Sequence, residues 1–520
     1  MLTTLYQRVV FVAVIATALS SLSVAANNKD AKLTGLLHNE DCTDFFYNAI
    51  IPEGKAGEVI DRYVDVIADA GVTVLLCNVN ARRTNYRSNV WEAFWDGYDP
   101  EKGESDPFLT PMAPESRKAY ARMIGNMHEV HRQGVDYPAR VIEHCRQRRM
   151  SPWISLRMND VHYNDNLKLP FHSDLWRKPE LFRQGHVGYF ARALDFKHAQ
   201  VRDHYRALIV EVLERYDLDG LELDFMREPY LFSKGEEVDG SKILTKWLRD
   251  IRELIDQASK RRGHPIKLGV RVPSEPRTAL GLGLDAPTWS KDRLVDLVVA
   301  TPRWETMHFD IPLAEWRRLL GNRVTLAGGL EVLYCHYPGS PVEERNAECA
   351  AGAAVAVLSQ GADVVYLFNH FQNGDWPEPG YKRLLNAMSS LDKLKKLPRR
   401  HAVTFRQVHV PGEAYRAPLP VTRQAISFHL PLGPLPPDGW KADAVIEVTN
   451  KDAKATRLFI NGVECPLQDT KALPKGHQQL TYSTPSSALP GRNEDTIIVT
   501  ASGQMAITVF RVEVRLHPGS

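Results

Sequence analysis

The sequence has 520 residues, of which 43% are apolar and 25% are charged, and its formal net charge is +2. This length gives room for two or three domains, and the composition is that of globular proteins, which excludes a disordered or fibrous chain. The near-neutral charge gives no electrostatic basis for binding nucleic acid.

The first 26 residues have the features of a secretory signal peptide. Arg8 precedes an apolar run over residues 9–22, and small residues follow up to Ala25. The apolar run is shorter than the roughly 20 residues that a membrane-spanning helix needs. We therefore expect residues 1–26 to be removed and the protein to be exported, either periplasmic or secreted, with no membrane segment after cleavage.

Eight apolar, β-branched runs alternate with amphipathic helical patterns over the next 370 or so residues. The runs begin at Leu33, Val72, Pro152, Asp219, Ile266, Leu294, Arg323 and Ala362. Continuous apolar strands separated by helices predict a parallel sheet covered by helices, and eight such repeats predict a closed (β/α)8 TIM barrel over residues 27–399. A doubly wound open sheet is the alternative, but no glycine-rich phosphate loop follows the first strand.

The helical period disappears after the barrel. Short strand-like runs separated by Pro and Gly turns follow one another from "AVTFRQVHV" to "MAITVFRVEVRL". Their even spacing predicts an all-β sandwich domain over residues 400–520.

The fourth strand-like run, "DGLELDF", contains two carboxylates at alternating positions. Strand side chains alternate between the two faces, so Glu222 and Asp224 are predicted to face the barrel interior while the apolar residues face the helices. Asp224 is nearer the C-terminal rim, where barrel enzymes bind substrates, and a buried carboxyl there acquires the raised pKa of a general acid. The structural alternative is that both carboxylates pair with Arg157 or Arg271 and fill the barrel.

The longer motif "DGLELDFMREP" resembles the fourth-strand signature of glycoside-hydrolase-like barrels: Asp-Gly, an apolar alternation, Asp and then Arg. It is also similar to the fourth strand of family 18 chitinases, but Met226 stands where their catalytic Glu lies, so catalysis by the substrate's acetamido group is not expected. The resemblance implies a pair of catalytic carboxylates. Related barrels set this pair on the fourth strand and the sixth or seventh, which implies Asp224 with Glu331, and Glu222 or Asp160 as the reserve. A salt bridge is the alternative role of Glu331.

Polar side chains are concentrated at the predicted strand ends, where they are suited to hydrogen bond sugar hydroxyls. The candidate substrate-binding residues are His38, Asn39, Glu40, Asn80, Arg157, Asn159, Asp160, His162, Arg227, Arg271, Arg303, Trp304, Asn369 and His370. Each of them also has a structural alternative, and Arg227 is suited either to holding a neighbouring carboxylate ionised or to clamping an acidic substrate.

Two long strand-to-helix loops, over residues 80–115 and 159–196, are rich in aromatic residues. They carry Tyr86, Trp91, Phe94, Trp95 and Tyr98 in the first loop, and His162, Tyr163, His172, Trp176, His186 and Tyr189 in the second. Both loops belong to the C-terminal face of the predicted barrel. Aromatic rings mixed with polar groups suit a sugar, and packing of the loops against each other is the alternative.

Together these features predict an exported glycoside hydrolase that acts on a poly- or oligosaccharide without an obligatory cofactor or metal. A non-catalytic carbohydrate-binding barrel and a metal-dependent hydrolase are the alternatives. The terminal domain, with "TRLFINGVEC", resembles the accessory jelly rolls of polysaccharide-degrading enzymes, and either binds sugar or supports the barrel. The six cysteines lack the spacing of a zinc site; Cys42 and Cys77 either form a disulfide or remain thiols.

Overall fold

The structure is a computed structural model that describes residues 31–372, 379–436, 439–489 and 495–519, with the side chain of Cys42 left out. The predicted signal peptide and its cleavage site lie outside these residues, as does any disulfide formed by Cys42. Within the described residues, no helix combines the length and the apolar character needed to cross a membrane.

Eight parallel strands form a closed barrel. They are β1 (Leu36–Glu40), β2 (Val74–Asn78), β3 (Ser151–Arg157), β4 (Gly220–Asp224), β5 (Lys267–Pro273), β6 (Leu297–Thr301), β7 (Thr325–Leu330) and β8 (Val364–Phe368). Each strand pairs with its neighbours in chain order, and β8 pairs with β1. The predicted (β/α)8 barrel is therefore confirmed, and the doubly wound alternative is excluded.

Helices surround the barrel. They are α1 (Cys42–Asn48), α2 (Ala56–Asp69), α3 (Pro114–Arg132), α4 (Tyr137–Gln147), α5 (Ala199–Arg215), α6 (Glu237–Arg262), α7 (Pro276–Gly281), α8 (Ala286–Lys291), α9 (Leu313–Leu320), α10 (Ala347–Ser359), α11 (Gly380–Ala387) and α12 (Leu391–Leu394). Their buried faces and the outward-facing strand residues form one large apolar core. A short two-stranded ribbon (Leu333–Tyr334 with Glu343–Glu344) follows β7.

The barrel interior is apolar at its lower end and polar towards its C-terminal mouth. Trp153 fills the lower end together with other inward-facing apolar side chains. A Cβ atom on Gly220 would lie 2.2 Å from the Trp153 ring, so the indole requires glycine at this position of β4. The carboxylates of β4 come next along the strand, and they are therefore held above a rigid apolar floor.

The C-terminal residues form an antiparallel, β-sandwich-like domain, as predicted. Its strands are β9 (Arg399–Ala402), β10 (Val421–Pro431), β11 (Trp440–Thr449), β12 (Arg457–Ile460), β13 (Val463–Cys465), β14 (Leu467–Leu473), β15 (His477–Ser483) and β16 (Thr496–Pro518). The order is β13–β12–β16–β11–β15–β14, and β9 and β10 also pair with β16. The exact domain boundary stays a prediction.

The barrel and the sheet are joined through a buried carboxylate on β16. Glu513 accepts a hydrogen bond from Arg400 Nη2 on β9 (2.9 Å) and one from the Tyr334 hydroxyl of the barrel. Gly352 of α10 lies directly against β9, because a Cβ atom there would be 2.0 Å from the Arg400 carbonyl oxygen. The C-terminal domain is thus docked on the barrel through specific contacts.

Candidate active site

Two carboxylates and one guanidinium form the centre of the barrel mouth. Arg271 on β5 contacts Asp224 at the end of β4 (Nη1 to Oδ2, 2.8 Å) and Glu331 just after β7 (Nη2 to Oε1, 3.1 Å). All three side chains are almost completely buried. A single guanidinium therefore bridges the two residues predicted as the catalytic pair.

The two carboxylates differ in how their oxygen atoms are used. Asp224 Oδ1 accepts a hydrogen bond from the Met226 backbone N–H (2.9 Å) while Oδ2 faces Arg271, so both of its oxygens have donors. Glu331 Oε2 is buried and has no hydrogen-bond partner among the described residues. Burial raises the pKa of Glu331 to about 7, although Arg271 and Arg227 oppose this shift. Glu331 is thus suited to holding a proton at neutral pH.

Glu222 lies one layer deeper in the barrel. Its Oε2 accepts hydrogen bonds from Ser155 Oγ (2.7 Å), Asn39 Nδ2 (2.8 Å) and Tyr366 Oη (3.0 Å). Burial, followed by the charge of Asp224, raises its pKa to about 7. These contacts come from three strands, so Glu222 organises the barrel interior beneath the Asp224–Arg271–Glu331 cluster.

The strand alternation predicted for β4 is confirmed. Glu222 and Asp224 face the interior, and the intervening leucines belong to the apolar core shared with the helices. The glycines of "TLAGGLEV" on β7 have structural reasons, because Cβ atoms on Gly328 and Gly329 would lie 2.4 Å from Val357 and 2.2 Å from Thr301. They allow close packing within the protein.

A pocket of about 220 Å³ opens beside this cluster at the same end of the barrel. Its polar lining includes Asp41, Arg82, Arg157, Asp160 and His162, and its aromatic lining includes Tyr47, Phe94, Tyr120, Tyr163 and Phe171. Polar groups beside ring faces are suited to a ligand that has both hydroxyl groups and apolar CH faces. Neither Asp224 nor Glu331 lines this pocket.

Charges in the pocket are tightly paired. Arg157 contacts Asp41 and also Asp160 (Nη1 to Oδ2, 3.1 Å), and His162 Nδ1 lies 2.9 Å from Asp160 Oδ1. Burial opposes ionisation of Asp41 and Asp160, but the neighbouring cations outweigh it and hold both pKa values below their usual range. The pocket therefore presents charged groups in fixed positions.

Arg227 connects the pocket with the carboxylate pair. Its charge acts on Asp41 and Asp160 on the pocket side and on Glu331 on the other side. Its guanidinium carbon lies 5.2 Å from the centre of the Phe368 ring. The side chain is therefore near enough to act electrostatically on both the pocket carboxylates and Glu331.

Two residues predicted to line the mouth point the other way. Glu40 accepts a hydrogen bond from the Tyr63 hydroxyl of α2 (2.6 Å), and burial raises its pKa to about 8. His38 lies beside it, with Nε2 3.3 Å from Glu40 Oε1, and burial lowers the pKa of His38 to about 3. Substrate binding by His38 and Glu40 stays a prediction, and these contacts do not favour it, because the alternation of β1 turns Asn39 and Asp41 inward instead.

The predicted asparagines mostly hold the backbone in place. Asn80 exchanges two hydrogen bonds of 3.1 Å with the backbone of Arg157, and Asn159 does the same with Leu194 at 2.7 and 2.9 Å. Asn369 Oδ1 accepts a hydrogen bond from the Asp41 backbone N–H (2.8 Å). These amides fix the positions of the loops, which favours a positioning role, and substrate binding by them stays a prediction.

The remaining predicted residues are divided between the interior and the rim. Asn39 donates to Glu222 inside the barrel, and His370 Nδ1 lies 3.0 Å from the Phe368 carbonyl oxygen, where both side chains are buried. Arg303 is 7% exposed, with its guanidinium carbon 4.8 Å from the Phe190 ring centre. Trp304 is 44% exposed.

Most of the loop aromatics pack inside the protein. The first loop buries Tyr86, Trp91, Phe94, Trp95 and Tyr98, and the second buries Trp176. Tyr189 is 51% exposed, and Tyr163 lines the pocket. The packing alternative therefore holds for the first loop, with Phe94 also reaching the pocket, while the second loop supplies the accessible rings.

Two charged residues of the pocket were not among the predicted substrate-binding residues. Asp41 follows β1, and strict alternation from Leu37 through Asn39 places it inward. Arg82 follows β2 and lies 3.9 Å from Asp160 (Nε to Oδ1). No sequence signal separates Arg82 from the neighbouring Arg83, which donates to backbone carbonyl groups of the first loop.

The part of the chain that the structure describes contains no group of three or more His, Cys, Asp or Glu side chains arranged to hold a metal ion. Its buried Cys145, Cys335, Cys349 and Cys465 are free thiols.

No protein-family model matches this chain, and no curated protein matches it. Similar solved structures include alpha-L-fucosidase isoenzyme 2 from Paenibacillus thiaminolyticus (TM-score 0.41, 12% identity, 70% of this chain and 49% of that chain). Another is the PgaB (BpsB) glycoside hydrolase domain from Bordetella bronchiseptica (TM-score 0.37, 11% identity, 69% of this chain and 99% of that chain). A third is an alpha-L-fucosidase from Vibrio sp. strain EJY3 (TM-score 0.36, 12% identity, 94% of this chain and 97% of that chain).

This chain spans about half of the length of the Paenibacillus fucosidase. These structural neighbours are glycoside hydrolases, but scores and identities this low do not identify an activity. The barrel itself is established by its strand pairing, and any function has to be argued from the side chains at its mouth.

Proposed function

We propose that this protein is an exported glycoside hydrolase that cleaves a poly- or oligosaccharide with Glu331 and Asp224. The observation that carries the proposal is the asymmetric carboxylate pair at the barrel mouth. Glu331 has a raised pKa and a buried oxygen without a partner, whereas both oxygens of Asp224 have donors. Hydrolysis of a glycosidic bond uses two carboxyl groups in such unequal environments.

In this mechanism Glu331 Oε2 carries the proton and donates it to the glycosidic oxygen as the bond to the anomeric carbon breaks. Asp224 acts on the opposite side, either by attacking the anomeric carbon or by taking a proton from the attacking water. Arg271 keeps both carboxyl groups in position and stabilises the negative charge that remains on Glu331 after proton transfer. Water then supplies the hydroxyl group of the new reducing end.

A non-catalytic carbohydrate-binding barrel is the second candidate, and one observation favours it. Arg271 already occupies an oxygen of each carboxylate, as expected for a structural ion-pair cluster. In that case the pocket around Asp41 and Asp160 binds sugar while the cluster only fills the mouth of the barrel.

Release of reducing ends from a panel of poly- and oligosaccharides distinguishes the candidates. The full chain is assayed with and without EDTA, beside Glu331→Gln and Asp224→Asn. Hydrolysis that survives EDTA and is lost in both variants supports the proposal. Sugar binding without any product supports the binding barrel, and loss of activity in EDTA supports the metal-dependent alternative.

Export is tested separately on the full-length gene product. We expect the mature chain to begin near Ala26 or Asn27, after removal of the apolar segment. N-terminal sequencing of protein recovered from outside the cytoplasm measures this. Exported material that still begins at Met1 contradicts cleavage.

A further inference from the structure

Two arginines at the barrel mouth have no carboxylate partner in the part of the chain that the structure describes. Among the described residues, Arg227 and Arg303 make no hydrogen bond and no ion pair, and the Nε atom of each is buried without a partner. Arg82, Arg157 and Arg271, at the same end of the barrel, each contact at least one carboxylate. An enclosed guanidinium that makes no hydrogen bond to a carboxylate is costly, and both arginines are enclosed in this way at their Nε atoms.

Aromatic rings surround both guanidinium groups. The guanidinium carbon of Arg227 lies 5.2 Å from the centre of Phe368 and 6.0 Å from that of Trp304. That of Arg303 lies 4.8 Å from the centre of Phe190 and 5.1 Å from that of Tyr189. Stacking on rings fixes the plane of a guanidinium but leaves its N–H groups without acceptors. Both arginines are thus oriented and still able to donate.

The two arginines belong to one site. The charges of both act on Glu331, and the hydroxyl of Tyr189 acts on Arg227 while its ring lies beside Arg303. Arg227 also contacts the ring of Trp304, the residue that follows Arg303 in the chain. A ligand group bound between them would therefore lie next to the proposed catalytic acid.

Two exposed aromatic rings lie beside the arginines, where a sugar ring could stack on them. Tyr189 and Trp304 are 51% and 44% exposed, and they flank the two guanidinium groups. Trp304 has a positive backbone φ of 35°, which a tryptophan adopts only at a cost. Its ring is thus held at the rim, where the CH face of a pyranose can stack on it.

We propose that Arg227 and Arg303 form a subsite for an acidic sugar, whose oxyanion group, a uronate carboxylate or a sulfate ester, binds between the two guanidinium groups. The planar N–H fork of arginine fits both kinds of oxyanion. This inference rests on the proposed function for the position of the sugar ring next to Glu331, but binding at the subsite does not require hydrolysis.

Binding of the full chain to a glycan array tests the subsite. The probes are oligosaccharides from pectin, alginate and glucuronoxylan, each beside its carboxyl-reduced form, and oligosaccharides from carrageenan and fucoidan, each beside its desulfated form. We expect at least one acidic member to bind and its neutral match to bind at least tenfold more weakly. Binding to a uronic acid glycan but not to its carboxyl-reduced form identifies a uronate as the ligand. Binding to a sulfated glycan but not to its desulfated form identifies a sulfate ester.

Substitutions of the two arginines connect the binding to the site. Arg227→Gln and Arg303→Gln should each weaken binding of the acidic glycan by about 10- to 100-fold, the usual effect of losing a hydrogen bond to a charged group. Arg227→Lys should bind between the wild type and Arg227→Gln, because it keeps the charge without the fork. Arg423→Gln, an exposed arginine of the C-terminal sheet, makes the same charge change and should bind as the wild type does.

The melting temperatures of the variants distinguish a ligand-binding role of the two arginines from a purely structural one. Since Arg303 is 7% exposed and makes no ion pair with any described residue, Arg303→Gln should melt no lower than the wild type in the absence of glycan. A lower melting temperature with unchanged affinity shows that the arginine only supports the fold, and overturns the proposal. Equal binding of acidic and neutral members, or the absence of acidic binders across the array, also overturns it.

The outcomes for this site and for the proposed hydrolase are distinguishable. A chain that binds acidic glycans through both arginines but releases no reducing ends refutes the hydrolase and supports the subsite. A chain that cleaves neutral glycans and binds no acidic ones refutes the subsite alone.

Discussion

Replacement of Glu331 by glutamine should make the protein more stable at alkaline pH while abolishing turnover. Burial raises the pKa of Glu331 from 4.5 to about 7, so its ionised form is unfavourable in the folded state. At about 1.4 kcal/mol for each tenfold change in proton affinity, this difference corresponds to about 3 kcal/mol. Glutamine has the shape of the protonated acid and does not titrate.

The sign of the effect follows from proton binding. Between pH 4.5 and about 7 the folded chain holds the Glu331 proton more tightly than the unfolded chain does. The free energy of unfolding contributed by Glu331 is therefore fully present below pH 4.5 and is lost as the pH rises through about 7. Wild type and Glu331→Gln should have similar stabilities at pH 4.5, and the variant should be more stable by about 3 kcal/mol at pH 8.

Urea unfolding at pH 4.5, 6 and 8 measures this difference. Glu222 titrates in the same range in both proteins, so its contribution largely cancels. Glu253→Gln, an exposed substitution on α6, is the control and should stay within about 0.5 kcal/mol of the wild type at each pH. A difference between Glu331→Gln and the wild type that does not change with pH would refute the raised pKa of Glu331. The proposed role of Glu331 as the acid would lose its basis with it.

Three further substitutions or deletions test other parts of the structure. Asp224→Asn should lower turnover by at least about 10²–10⁴-fold with glycan binding retained; a loss of about 3–5 kcal/mol in stability with unchanged turnover would instead indicate a structural partner of Arg271. Glu513→Gln should destabilise the chain by about 1.5–3 kcal/mol in urea unfolding, because it removes the buried negative charge that Arg400, Arg511 and Arg515 share; a loss below about 1 kcal/mol contradicts this. Deletion of residues 400–520 should lower the melting temperature or polymer binding, and a truncated chain unchanged in both contradicts any role of the sheet.

The fold could be predicted from the sequence because its signals are local. Each barrel strand is a continuous apolar run, and the period of two placed Glu222 and Asp224 inside the barrel. The same rule applied to "LLHNED" turns Asn39 and Asp41 inward and His38 and Glu40 outward, as the structure shows. The prediction for β1 grouped its polar residues without regard to this alternation.

The details of the site could not be read from the sequence. Whether a loop ring packs inward or lines a pocket depends on contacts between distant segments, as with buried Trp95 and exposed Tyr189. The pairing of Arg271 with both carboxylates requires strands β4, β5 and β7 to meet at one height. The absence of a partner for Arg227 is likewise visible only once every neighbouring carboxylate has been assigned to another cation.

The close contact between Gly352 and Arg400 has a consequence for biosynthesis. Residues 349–357 of α10 are buried and β9 packs against this helix, while β9 is itself paired with β16. The ribosome therefore completes β8, the last barrel strand, well before it makes β16, the strand that pairs with β9. Until β16 has emerged, β9 lacks its partner strand, and we expect the alanine-rich surface of α10 to be accessible to other nascent chains and to chaperones.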